Sequence, residues 1–313
     1  MKTRHTLDIL LKTYTPIWKN RKGKVLRMSD ILNHRKYGFF LNGCYAPISQ
    51  EEAMEILAKL GYSAVEVPWH PDAGRESLTI SAQNAAKNGL MLSEVVLQLD
   101  YVKTDEALRQ KQIDDTVRAV AVCGEAGIST INLFTGPVPW GASPLRVGKD
   151  LSAGDAWRML FSAFDKLVPA AEQAGVNLAV ENVWCHLCHD FFTCRHLTTH
   201  YNSPRLGVNF DPSHDVLSGN TDMRFLVNSW GKDAIKHIHL KDAAGIMEGG
   251  KFIFPLLGEG LVDWDGLRAG LTDIGYDGVL SMECESSGYG LYFDGQLSKI
   301  AAVHIQAARA LLG

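Results

Sequence analysis

The chain has 313 residues, a net charge of −4 and a hydrophobic fraction of 46%, values that are ordinary for a soluble globular enzyme. No run approaches 18 apolar residues, so the sequence predicts no membrane span and no membrane partner. The charge is uneven: residues 1–36 carry ten Lys or Arg and two Asp, which is +8, and the remainder therefore carries −12. An acidic body argues against binding of a nucleic-acid backbone.

The basic segment 1–36 is interpreted as an N-terminal extension to one catalytic domain over residues 37–313. Its short apolar run, residues 9–11, is too small for the core of a signal peptide, so a cytoplasmic protein is expected. The charge of the extension is opposite to that of the body, and its apolar residues need a partner surface. We therefore expect the extension to serve assembly, in a homo-oligomer or with a different subunit.

Deleting residues 1–30 should change the oligomeric mass of the protein, because the deletion removes the surface that is predicted to hold subunits together. Light scattering on the full-length and truncated chains measures this directly. An unchanged mass would contradict the assembly role.

Strand-like and helix-like segments alternate along the chain after residue 36. Ser49 and Glu52 form a capping-box pattern before apolar residues at helical spacing, and Gly61 is expected to end that helix. Eight strands, each followed by a helix, make parallel βαβ units. They predict a (β/α)8 TIM barrel. The strands are expected at 37–44, 64–67, 90–96, 129–134, 175–181, 206–211, 235–239 and 278–283, and the helices at 49–61, 77–88, 105–125, 154–173, 191–201, 221–230, 263–274 and 296–312.

The last four predicted strands each end on a side chain that can bind a metal: Glu181, Asp211, His239 and Glu283. In TIM barrels the chemistry sits at the carboxyl ends of the strands. Carboxylate and imidazole ligands together suit a divalent cation. These four ligands, with no second cluster evident in the sequence, predict one divalent ion per chain.

The inward positions one pleat deeper would be Ala179, Asn209, His237 and Ser281. Three of them are polar, and a buried polar group costs about 1–3 kcal/mol unless it is paired. We expect these residues to orient the metal ligands. His237 is equally well interpreted as a hydrogen-bonded core histidine or as a substrate contact.

Several stretches resemble the sugar phosphate isomerase/epimerase family, which belongs to the xylose-isomerase-like barrels that also include endonuclease IV. The resemblance covers residues 37–312 and departs from the family in residues 1–36 and in the Cys/His-rich loop 185–200. The stretches that carry it are Glu181–Trp184, Asp211–His214, His237–Asp242, Leu257–Trp264 and Tyr276–Glu283.

The resemblance implies that the four strand-end residues bind one divalent metal, with manganese first and cobalt, magnesium or zinc as alternatives. It also implies that His214 contacts a substrate oxygen and that Glu181 and Glu283 act as acid/base carboxylates. From the residues themselves, Lys241 either points into the site or extends outward to solvent. Trp184 and Trp140 lie in loops over the active face, where each either stacks on a substrate ring or packs within the loop.

The leading functional hypothesis is a metal-dependent isomerase or epimerase that acts next to the carbonyl of a sugar, cyclitol or oxo-sugar. The metal would chelate the carbonyl oxygen and a neighbouring hydroxyl and stabilise an enediolate. Expulsion of a β-substituent would instead make the protein a lyase, either an inosose-type dehydratase or an enzyme that cleaves a C–C or C–O bond of a 3-oxo-glycoside. The sequence does not separate these outcomes.

Two further classes are disfavoured. An abasic-site endonuclease of this fold needs a larger His set, but fragment 251–258 has no Asp-x-His pair and strand four ends on Asn132-Leu-Phe-Thr. A barrel that binds sugar without turnover would not need Glu181 and Glu283.

The Cys185-His-Leu-Cys188-His189 pattern matches haem c attachment and could also supply zinc ligands, but loop residues beside the site are the favoured interpretation. The six cysteines are expected to be reduced thiols.

Overall fold

A computed structural model describes residues 35–140, 144–247, 250–285 and 293–313. Of the predicted N-terminal extension only Arg35 and Lys36 fall within these ranges, so its expected role in assembly concerns residues outside the described ones. Within the described ranges, no helix combines the length and the apolar character that crossing a membrane requires.

Eight parallel strands and one antiparallel hairpin make up the sheets of the protein. The strands are β1 (Lys36–Phe39), β2 (Ala64–Pro68), β3 (Met91–Leu97), β4 (Thr130–Leu133), β5 (Asn177–Glu181), β6 (Leu206–Phe210), β7 (Ile235–Leu240), the hairpin of β8 (Ala244–Ile246) and β9 (Lys251–Ile253), and β10 (Val279–Met282). The eight parallel strands form a nearly closed barrel, in the order β1-β10-β7-β6-β5-β4-β3-β2. Between β1 and β2 the backbones of Phe40 and Glu66 form a parallel bridge, and the Leu41 N–H donates to the Glu66 carbonyl at 3.0 Å. The predicted TIM barrel is confirmed.

Helices follow the barrel strands and cover the outside of the sheet. The first begins after Ser49, whose hydroxyl accepts from the Glu52 N–H at 3.1 Å, and ends at Gly61 in the left-handed conformation, as predicted. The helices are α1 (Gln50–Leu60), α2 (Gly74–Lys87), α3 (Glu106–Glu125), α4 (Ala153–Ala174), α5 (Phe191–Tyr201), α6 (Pro212–Leu217), α7 (Met223–Trp230), α8 (Trp264–Asp273) and α9 (Leu297–Leu312), with a 3₁₀ turn at Pro71–Ala73.

The two sides of each barrel strand face different surroundings. On β5, Leu178 and Val180 pack outward into the hydrophobic core between sheet and helices, while Ala179 and Glu181 alternate with them and face the barrel interior. Every residue of β6 is buried. Because of this alternation, polar side chains such as Glu181 lie on the interior face of the strands, at the carboxyl end of the barrel.

Asp242, directly after β7, organises the loop that leads to α8. Its buried carboxylate accepts five hydrogen bonds, and a Cβ at Gly260 would lie 2.2 Å from Asp242 Oδ1, so the loop can pass this close only with glycine there. The carboxylate therefore fixes the stretch 257–264 against the barrel. The donors are the N–H groups of Ala243, Gly258, Gly260 and Val262 and the indole Nε1 of Trp264, at 2.9–3.1 Å.

Asp242→Asn should lower the free energy of unfolding by about 1.5–3 kcal/mol or more, because one hydrogen bond to a charged group contributes about this much. An amide has only one acceptor oxygen, so some of the five donors would lose their partner. Chemical denaturation measures the change. As a control, Asp277→Asn removes an exposed carboxylate paired with Lys232 and should leave the free energy of unfolding close to that of the wild type. Equal stability of the two variants would contradict the role of Asp242.

Candidate metal centre

Four side chains meet at the carboxyl end of the barrel, and they are the four that the strand ends predict. One ligand atom from each of Glu181, Asp211, His239 and Glu283 lies within 4.8 Å of the others. The residues are 2%, 0%, 0% and 8% exposed, respectively. We call these four residues the mouth cluster. Their role as metal ligands stays a prediction.

The surrounding protein holds one oxygen of each of two carboxylates and leaves the other facing the cluster. Glu181 Oε2 accepts from Asn132 Nδ2 at 2.7 Å, while Glu181 Oε1 lies 3.4 Å from His239 Nδ1. Asp211 Oδ1 caps α6, accepting from the N–H and the hydroxyl of Ser213 at 2.8 and 2.6 Å. Asp211 Oδ2 makes no hydrogen bond within the described ranges, although Lys241 Nζ lies 2.9 Å away as an ion pair. A buried, oriented carboxylate oxygen of this kind fits a divalent cation.

His239 presents its two ring nitrogens to different groups. Its Nε2 lies 3.0 Å from Glu66 Oε2, whereas its Nδ1 lies 3.2 Å from Glu283 Oε2. Burial opposes protonation, yet Glu181, Glu283 and Glu66 together raise the pKa of His239 well above its ordinary value. The same negative charge would favour a metal cation in place of the proton on Nδ1. The ring would then keep its proton on Nε2 and donate it to Glu66.

The two carboxylates predicted to transfer protons have different electrostatic surroundings. Burial opposes ionisation of Glu283, but Lys241 and His239 hold the pKa of Glu283 below its ordinary value. Burial, together with the charge of Glu283, raises the pKa of Glu181 although His239 opposes this. From the protein's own charges, Glu283 is therefore the more readily ionised of the pair, and a bound cation would lower both pKa values.

Lys241 lies inside the site. Its Nζ donates to Glu283 Oε2 at 2.6 Å, lies 3.1 Å from His214 Nε2 and lies 3.3 Å from Glu285 Oε1. Burial disfavours the charged amine, but Asp211 and Glu283 raise the pKa of Lys241 well above its ordinary value. The side chain is therefore a fixed positive charge at the edge of the mouth cluster.

His214 is buried in α6 beside the mouth cluster. Its Nε2 lies 3.3 Å from Asp211 Oδ2, and its ring packs edge-on against Phe254 at 5.7 Å between centroids. Burial, with the charge of Lys241, lowers the pKa of His214 to about 3, so the ring is neutral. His214 is thus placed within reach of a molecule on the cluster, and its substrate contact stays a prediction.

A second cluster lies in the barrel interior, and the expectation that the chain has none is wrong. Glu66 on β2, Glu94 on β3 and His237 on β7 each place a ligand atom within 4.8 Å of one another and of His239. We call Glu66, Glu94 and His237 the inner cluster. The two glutamates stand in the middle of apolar strands, and a charged residue in a strand that is otherwise buried was the signal that could have revealed them.

The aromatic side chains over the mouth pack mainly against one another. The half-buried Trp184 meets Phe252 of β9 edge-on at 5.0 Å between centroids. The exposed Trp140 contacts Phe134 and His186 at 5.9 and 5.6 Å. Trp184 therefore packs against the β8–β9 hairpin. A contact between Trp184 and substrate stays a prediction.

The Cys/His-rich segment contributes to packing. Cys188 and Cys194 are buried, and His196 and His200 pack against Phe161 of α4. All six cysteines are free thiols. Among the described residues, the groups that could hold a metal ion draw no member from the stretch 185–200. The interpretation of the segment as loop residues beside the site stays a prediction.

Comparison with known proteins agrees with this architecture. Inosose dehydratase of Lacticaseibacillus casei is 26% identical over 147 residues, which cover 42% of this chain and 48% of that protein, so the match spans about half the length of the relative. Among solved structures, the IOLI protein with a bound zinc atom superposes with a TM-score of 0.71 at 16% identity, over 88% of this chain and 98% of that one. D-psicose 3-epimerase, solved in the presence of D-fructose, gives 0.69 at 18% identity, over 89% and 99%.

Structural likeness at these identities establishes the fold alone. The family assignment comes from the sequence itself, because the profile of the xylose isomerase-like TIM barrels matches residues 54–310. That match includes β2 to β10 and all members of both clusters. The chain belongs to the family of xylose isomerase-like TIM barrels.

Proposed function

We propose that the protein is a divalent-metal-dependent enzyme that moves a proton next to the carbonyl of a sugar, cyclitol or oxo-sugar, as an isomerase or epimerase. The observation that carries the proposal is the mouth cluster, in which two buried carboxylates, Glu181 and Glu283, share one site with Asp211 and His239. The expected partner is a small polyhydroxylated molecule rather than a nucleic acid or a membrane.

Each part of the cluster has a task in such a reaction. A bound metal would polarise the carbonyl oxygen and a neighbouring hydroxyl and so acidify the adjacent C–H bond. One of the two carboxylates, Glu181 or Glu283, removes the proton, and the other supplies one at the opposite face or the adjacent carbon. Lys241 and His214 lie beside these oxygens and bind hydroxyl groups of the substrate.

The proposal on the metal rests on the donor set. Three carboxylates and one imidazole accept manganese, cobalt, magnesium or zinc, and the oxygen-rich set favours manganese. The zinc atom in the IOLI protein is a property of that protein, and it supports the presence of a metal on this fold.

A second candidate reaction is dehydration, in which the proton is removed in the same way and a β-hydroxyl then departs as water. The observation that favours it is the similarity to inosose dehydratase.

NMR in deuterated water tests the proposal on a panel of ketoses, aldoses, inososes and oxo-sugars, with manganese added. We expect one compound to take up deuterium at the carbon next to its carbonyl. An epimer or isomer as product supports the first reaction, and an unsaturated or deoxy-oxo product supports dehydration. Full metal loading without deuterium uptake in any member of the panel would contradict proton transfer at this site.

A further inference from the structure

The inner cluster lies one pleat below the mouth cluster, within the closed part of the barrel. His237 stands two residues before His239 on β7, so both rings face the interior, and Glu66 and Glu94 come from the strands β2 and β3. Glu66, Glu94 and His237 are 0%, 0% and 2% exposed. Two carboxylates and an imidazole thus converge where water has no open access.

The inner cluster contains buried polar atoms whose hydrogen-bonding capacity is unused. Within the described ranges, neither carboxylate oxygen of Glu94 and neither ring nitrogen of His237 makes a hydrogen bond. Their nearest charged neighbours are one another, with Glu94 Oε2 3.6 Å from His237 Nδ1 and Glu66 Oε1 3.4 Å from His237 Nε2. Because buried polar groups are almost always partnered, these atoms point to a ligand that they share.

Charge balance favours a cation as that ligand. The two clusters contain five buried carboxylates, and among the described residues Lys241 is the buried cation beside them. With all five carboxylates ionised and both histidines neutral, as ligands to a metal would be, the balance is −4, so one divalent ion at the mouth would leave −2. Uncompensated charge in a low-dielectric interior is strongly unfavourable. A second divalent ion removes the excess.

His239 separates the two clusters. Its Nδ1 faces the carboxylates of the mouth, and its Nε2 lies 3.0 Å from Glu66 Oε2, so an Nε2–H would donate to that oxygen. This arrangement leaves Glu66 Oε1, which faces His237, for the inner cluster. The mouth and the inner cluster can therefore be occupied together without any shared ligand atom.

We propose that the inner cluster binds a second divalent cation through Glu66, Glu94 and His237. Mixed carboxylate and imidazole ligands suit manganese or zinc. The Glu66–His239 hydrogen bond joins the two metal sites. The inner site does not depend on the reaction proposed for the mouth.

Metal content tests the proposal directly. The full-length protein is loaded with Mn²⁺, desalted and measured by inductively coupled plasma mass spectrometry. We expect two ions per chain in the wild type and about one in Glu94→Gln, which keeps the shape of the side chain and removes its charge. Asp211→Asn should also hold about one, because it weakens only the mouth. The control Glu172→Gln changes a surface carboxylate that accepts from Ser203 and should hold two.

The inner site would be overturned if the wild type held one ion per chain and this ion were lost in Asp211→Asn and kept in Glu94→Gln. Protons would then balance the charge of the inner cluster. One ion kept in Asp211→Asn and lost in Glu94→Gln would support the inner site and contradict the mouth. Electron paramagnetic resonance of the Mn²⁺-loaded wild type covers the case in which Glu94→Gln does not fold. Two Mn²⁺ ions on either side of His239 should couple and give a broad signal, and the resolved hyperfine lines of isolated Mn²⁺ alone would overturn the proposal.

Discussion

Replacing Glu283 by Gln, with metal in excess, should lower turnover by about 10²–10⁴-fold, the usual effect of removing a general acid or base. The amide keeps the shape of the side chain but cannot accept the proton. It also removes one of the charge partners of Lys241, whose Nζ lies 2.6 Å from Glu283 Oε2. Glu181→Gln should have an effect of similar size, because the opposite proton transfer is lost. Steady-state rates on the substrate found by the NMR screen give both numbers.

The two variants should differ in partial reactions. One of the two variants should still exchange the α-proton with deuterated water without completing the reaction, and the other should not, which identifies the carboxylate that removes the proton. Glu285→Gln is a matched control, since Glu285 also contacts Lys241 but is exposed at the rim and lies outside the mouth cluster. If Glu283→Gln turned over normally with metal bound, the acid/base assignment of Glu283 would be wrong. His214 or His237 would then be the alternative proton-transfer residue.

Asp211→Asn should weaken metal binding at the mouth cluster while the barrel stays folded. The amide nitrogen cannot replace Asp211 Oδ2, the oxygen that faces the cluster without a hydrogen bond, and the charge that balances Lys241 is removed as well. We expect at least a tenfold loss of Mn²⁺ affinity by calorimetry, about 1.4 kcal/mol or more. Activity should fall with the metal content.

The control for this variant is Asp273→Asn, which alters a surface carboxylate paired with Arg224. It should bind metal like the wild type. Circular dichroism should give the same spectrum for all three proteins, so that lost metal is not mistaken for lost fold. Asp211→Asn that retained wild-type affinity at the mouth would show that the strand-end assignment is mistaken.

The barrel and the mouth cluster could be predicted because they depend on local patterns. Caps such as Ser49 and Gly61 define a helix by hydrogen bonds within a few residues, and parallel strands bring their carboxyl ends together by topology. Four consecutive strands ending in Glu181, Asp211, His239 and Glu283 therefore converge whatever the details of packing. Most predicted boundaries agree with the observed elements to within two or three residues.

The inner cluster could not be predicted in the same way, because it joins residues that are far apart in sequence. Glu66 and His239 are 173 residues apart and meet only because the barrel closes between β1 and β2. Two local elements were also missed. The six-residue helix α6 is too short to show periodicity, and the hairpin of β8 and β9 has three-residue strands. Both contribute side chains next to the site.

The central claim is that the mouth cluster is a metal centre, and anomalous X-ray diffraction from crystals grown with Mn²⁺ tests it most directly. We predict an anomalous peak at bonding distance from Glu181, Asp211, His239 and Glu283. A fully loaded crystal with no peak among these four side chains would contradict the account.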